Sequence, residues 1–142
     1  MFYKPKHFAV HELVDRETYL QYGENSLQHF SQIALQGLDD LREYLGGKLI
    51  VNNWFWNGVY QWSGFRPKTC EVGATYSQHR LGNGFDIKPS GITPAELYRK
   101  ILDNQDHEKL KNITCIERIE DTPTWVHVDF RNIPNRIKIV KP

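Results

Sequence analysis

Apolar residues recur at three- and four-residue steps between residues 24 and 45, at Leu27, Phe30, Ala34, Leu38, Leu41 and Leu45. That period turns a single helical face towards a core. Asn25 or Ser26 can cap the start of this helix and Gly46-Gly47 can end it. Lys48 to Val51 then reads as a short strand. The stretch from Asn52 to Tyr76 is rich in aromatics, Gly and Asn and reads as a loop with short strand pieces. Thr93-Pro94-Ala95-Glu96 is a helix start: threonine at the cap, proline at the first helical position, glutamate three residues after the threonine. This helix should run to about Asp103. Ile113–Ile119 and Trp125–Arg131 read as strands, with Asp121-Thr122-Pro123-Thr124 as the turn between them, and Arg136–Val140 as a closing strand. Helices first and antiparallel strands later predict an α+β fold with N-terminal helices packed on an antiparallel sheet.

The chain has 142 residues, enough for one domain over residues 1–142 with a core of its own. Apolar residues make up 39% and charged residues 25%, a globular balance. Net charge is +1, which excludes the basic footprint of a nucleic-acid binder. No repeat, low-complexity tract or linker interrupts the pattern. The two cysteines, Cys70 and Cys115, lack the spacing of a zinc knuckle or redox pair and read as buried, reduced thiols. The first residues, MFYKPKHFAVHELVD, have no apolar stretch of the signal-peptide kind, and no apolar run approaches the ~20 residues of a membrane span. The expectation is a soluble, monomeric product of the cytoplasm, which something else must deliver if it acts outside.

Two segments carry chemistry. The first, Ser77-Gln78-His79-Arg80-Leu81-Gly82-Asn83-Gly84-Phe85-Asp86-Ile87, sets a histidine and an aspartate seven positions apart with two glycines between them. Imidazole nitrogen and carboxylate oxygen both bind zinc at about 2.0–2.2 Å, and glycines let a backbone curl so that two such groups converge. A polar hairpin with a surface His and Asp would look the same. The second segment is Trp125-Val126-His127-Val128-Asp129-Phe130-Arg131. On a strand, Val126, Val128 and Phe130 face one side and Trp125, His127, Asp129 and Arg131 the other. A half-buried strand facing water has this alternation too, but His127 can supply a third ligand. Two histidines and one carboxylate, with water in the fourth position, is a catalytic zinc arrangement. His7, His29 and His107 read as surface residues.

Ser-x-His, six residues, Asp and a distant Trp-Val-His-Val together resemble the D-Ala-D-Ala carboxypeptidase family of zinc peptidases, which shares its fold with the Hedgehog signalling domain. That family includes murein peptidases of bacteria and endolysins of bacteriophages. Ser63-Gly64-Phe65-Arg66-Pro67 is similar to the family's Ser-Gly-aromatic-Arg segment, and the resemblance covers roughly Leu38 to Arg131. It implies a Zn2+ ion on His79, Asp86 and His127, with Arg66 as a cation on the substrate side and Ser77 hydrogen-bonded near the site. It also implies a peptidoglycan stem peptide as the partner, cut by a carboxypeptidase or endopeptidase that acts on the cell wall after release or as part of a phage particle. For Arg66 the alternative is a surface salt bridge.

One position departs from the family. Many relatives carry an acidic base three residues before the last histidine, where this chain has Thr124. Some have an acid six residues before, which is Asp121 here, and the His-Val-Asp ending brings in Asp129. If the two strands pair with Ile119 facing Trp125, Glu117 lies opposite His127; a slip of one residue sends it to the other face. The order of preference for the base is Asp121, Asp129, Glu120, Glu117. The second reading is a non-catalytic, zinc-stabilised binding or structural module, for example a phage virion component. A metal-dependent nuclease lacks a basic stripe. The aromatic run Trp54-Phe55-Trp56-Asn57-Gly58-Val59-Tyr60-Gln61-Trp62 can stack on sugars or fill a core, and at least two of its members are expected in the core.

Overall fold

The computed structural model describes residues 3–74 and 77–142. Among them the chain forms a small α+β domain of three α-helices and one five-stranded sheet. The helices are α1 (Arg16–Tyr22), α2 (Gln32–Leu45) and α3 (Pro94–Asp103). The strands are β1 (Leu49–Ile50), β2 (Gly84–Pro89), β3 (Cys115–Glu117), β4 (Val126–Asp129) and β5 (Lys138–Val140), in the order β1-β2-β4-β3-β5. No helix among the described residues is long and apolar enough to cross a membrane.

The expected long helix is broken. Leu27, Phe30, Ala34, Leu38 and Leu41 are all buried, as their spacing predicts. However, Gly23–His29 forms 3-10 turns, and α2 begins only after Ser31, whose Oγ accepts a hydrogen bond from the Ala34 amide at 3.1 Å. Phe30 is extended there, and the Ser31 amide donates to the Gly82 carbonyl. A serine that satisfies an orphan amide at a helix start competes with continuing the helix through it. Gly46, at φ 69°, ends α2. The short α1 is set by Asp15, which accepts from the amide and hydroxyl of Thr18. α3 has the expected bounds, with Thr93 Oγ1 accepting from the Glu96 amide.

The sheet corrects the antiparallel expectation. β1–β2, β2–β4 and β3–β4 are antiparallel, but β5 runs parallel to β3, so the sheet is mixed. β2 is also new: it begins within the Ser77–Ile87 segment, where the sequence reading placed no strand. Phe85 and Ile87 point into the core with Val126, Val128 and Ile116, while Asp86 lies on the opposite face of β2. α2 packs its buried face on this core, and Gly37 lets the Phe130 ring lie directly against the helix backbone. Cys70 and Cys115 are buried and free, as expected.

Candidate metal centre

Asp86 and His127 are direct cross-strand partners on β2 and β4. His79 reaches them from the turn before β2. Its amide donates to Ser77 Oγ, and Gly82, at φ 70°, brings the chain so close to the His29 carbonyl that no side chain would fit. The three residues therefore meet although His127 is distant in sequence. His79 Nε2 lies 3.2 Å and His127 Nδ1 2.9 Å from the same oxygen, Asp86 Oδ1. One ligand atom from each of the three lies within 4.8 Å of the others, so the group could hold a metal ion.

The far side of each ring fixes its tautomer. His79 Nδ1 is 2.9 Å from the Gly64 carbonyl, which can only accept, so Nδ1 carries the proton. Burial pushes the His79 pKa down despite Asp86 nearby, so the ring is neutral and Nε2 presents a lone pair. That lone pair faces a carboxylate oxygen. Two acceptors 3.2 Å apart repel unless a cation lies between them. Ligand bonds of ~2.0–2.1 Å at a tetrahedral angle would set the donor atoms about 3.3 Å apart, close to the distances found.

His127 is held at both ends. Its Nε2 donates to Asp129 Oδ2 at 2.9 Å, and Nδ1 faces Asp86. Burial alone would lower its pKa, but the bonds to Asp129 and Asp86 win and raise it to about 9. Asp129 is fully buried and grips the Arg131 guanidinium through both oxygens, at 2.7 and 2.6 Å. Burial would raise Asp129 too, but Arg131 and His127 bring it down to about 2. Burial acts against the Asp86 anion as well, yet His79 and His127 hold its pKa far below the usual range. Arg66 is buried rather than a surface ion. Its Nε donates to the Trp62 carbonyl at 2.6 Å and one Nη to Asp86 Oδ2 at 3.3 Å.

The three candidate ligands line a cavity of about 350 Å³ together with Arg66, Glu117, Asp121, Trp125 and Arg131. The acids divide clearly. Asp121 lies on the rim, its carboxylate paired bidentately with Arg118 at 2.7 and 3.0 Å. Asp129 orients the His127 ring from behind. Glu120 is exposed and lines no part of the cavity. Glu117, ranked last from sequence, lines the cavity beside the cluster. Cys115 pairs with Asp129 and Ile116 with Val128, and that register continues to set Glu117 across from His127. Its Oε2 is 3.9 Å from His127 Nδ1, and burial raises its pKa.

Three other expectations change. His29 is half-buried and stacks on Phe65, with ring centroids 4.5 Å apart. No tryptophan of the 54–62 run is in the core. Trp54 is half-buried and donates to the Val14 carbonyl, while Phe55, Trp56 and Tyr60 are exposed. Phe55 stacks instead on His11, a histidine that no motif singles out. The Gly64 carbonyl and Arg131 also went unassigned; only the Ser-Gly-aromatic-Arg segment and the Trp125–Arg131 alternation pointed to them. No protein-family model, no curated protein and no solved structure matches the chain.

Proposed function

We propose that this chain is a zinc-dependent peptidase that hydrolyses a peptide bond in bacterial peptidoglycan. One observation carries the metal: His79 Nε2 and Asp86 Oδ1 face each other across 3.2 Å, in a cluster whose remaining ring nitrogens are already satisfied by Gly64 and Asp129. Two imidazoles and a carboxylate with an open side towards a cavity suit catalytic zinc. Bound there, zinc would supply Lewis acidity towards a scissile carbonyl and towards water. Asp129 and Arg131 lock the His127 ring so that Nδ1 faces the cluster. Glu117, poised by burial to hold or release a proton, takes one from water and hands it to the leaving nitrogen. Arg66 fixes Asp86 and flanks the cavity where a substrate would lie.

The wall substrate and the Hedgehog-type fold rest on the resemblance of the motifs. The geometry gives the Ser63–Pro67 motif a reason, since Gly64 holds His79 and Arg66 holds Asp86. A zinc-stabilised module without turnover is the second reading, favoured by Thr124 and by the engagement of Asp121 with Arg118. The deciding experiment measures zinc content, then digests purified peptidoglycan with and without chelator and identifies products by mass. Chelator-sensitive release of stem-peptide fragments is expected. Full zinc loading with no product would leave the module reading, and absence of tight zinc binding would remove both.

A further inference from the structure

A second cavity, of about 230 Å³, adjoins the metal cluster and shares Arg66, Val72, Asp86 and Trp125 with the first. Its own walls are Val59, Tyr60, Gln61 and Trp62, with Lys88 beneath. Lys88 looks like an anion receptor, but it is not free to be one. Its ammonium donates to the Val51 carbonyl at 2.6 Å, Ser63 Oγ at 2.8 Å and the Asp86 carbonyl at 3.2 Å, so all three donors are used. It lies 4.1 Å from the Tyr60 ring centroid, covering one face, while Tyr60 remains 40% exposed. Neither the Tyr60 hydroxyl nor the Gln61 amide bonds a protein group among the described residues.

We propose that this groove binds one pyranose ring of a neutral glycan strand. A pyranose has an apolar C–H face and a rim of hydroxyls, which match aromatic ring faces bordered by an amide and a phenol. A carboxylate would find no donor left on Lys88, and the Arg66 guanidinium is already engaged by Asp86 and the Trp62 carbonyl. A purely aliphatic group would bury the Gln61 amide and Tyr60 hydroxyl without partners, which is costly. Phe55 and Trp56 are exposed on the same loop and offer further aromatic surface to a polymer. The assignment rests on the peptidoglycan reading for the kind of sugar, an N-acetylated hexosamine.

The test uses the β-1,4-linked tetramer of N-acetylglucosamine and the full chain, following tryptophan emission, since Trp62 and Trp125 line the groove. Saturable binding is expected in the wild type. Tyr60→Ala and Trp62→Ala should each weaken it at least tenfold, and Gln61→Leu should weaken it with the aromatic walls intact. Leu20→Ala, outside the groove and 70% exposed, should bind like the wild type. Absence of saturable binding, or wild-type binding by the three groove variants, would overturn the proposal. So would displacement of the tetramer by a sugar-free stem peptide, which would assign the groove to peptide. Hydrolysis of that stem peptide is measured separately: cleavage without sugar binding removes the groove and keeps the peptidase, and sugar binding without cleavage does the reverse.

Discussion

His127 has a carboxylate at each end of its ring, and the consequence is a proton that a metal must displace. With a pKa of about 9 in the folded, metal-free chain, Nδ1 carries that proton at neutral pH. Below pH 9, zinc therefore competes with it, and the apparent affinity should rise by up to about tenfold per pH unit from pH 6 to 8. Competition against a chromophoric chelator at three pH values measures this; a flat profile would contradict it. The sign for stability follows from the same shift. The folded pKa lies above the unfolded value of about 6.5. The metal-free protein therefore holds this contribution fully below pH 6.5 and loses it as pH rises through 9. Its melting temperature with chelator should fall across that window. Asp129→Asn should cost about 10–100-fold in zinc affinity, as loss of a group orienting a ligand does. Glu117→Gln should retain zinc and lower turnover by about 10²–10⁴-fold, while Asp121→Asn should stay near wild type. Inactive Asp121→Asn beside active Glu117→Gln, both metallated, would return the role to the rim.

At the scale of elements, the tightest approach is between α2 and the residue after β4. Gly37 is buried in α2, and a methyl group there would run into the Phe130 ring. Alanine gains about 1 kcal/mol over glycine in a helix interior, but overpacking costs about 1–3 kcal/mol. Gly37→Ala is therefore expected to destabilise in denaturant unfolding; a rise in the midpoint would show that the ring yields freely. Which elements were legible follows from where their signals lie. α3 is announced by Thr93, Pro94 and Glu96 within four residues, and β4 by strict alternation. The start of α2 is not, because Leu27 and Phe30 keep helical spacing through 3-10 turns. β2 was hidden by the metal motif, although Phe85-Asp86-Ile87-Lys88 alternates as a strand should. The direction of β5 depends on a tertiary connection that no local pattern encodes. In the site, His79, Asp86 and His127 were legible from motif spacing. Glu117 depended on strand register, and the fate of the aromatic run depended on whether a layer covers it.

At the scale of the whole molecule, a ligand that binds only the folded chain shifts the unfolding equilibrium. At free zinc 100 times Kd the gain is about 2.7 kcal/mol, a sizeable fraction of the stability of a small domain. Differential scanning with zinc and with chelator should show this, with the His127→Ala variant largely unresponsive. The topology also sets an order of events. His79 and Asp86 are near neighbours in sequence, but His127 joins them only when β4 docks on β2, an association across 41 residues. Long-range pairings of this kind close late, because the loop entropy is lost before their contacts form. A nascent or partly folded chain thus offers at most a loose two-armed grip on an ion, and tight capture awaits the finished sheet. Metal loading would then report completed folding, and a chain stalled short of β4 would remain chemically silent.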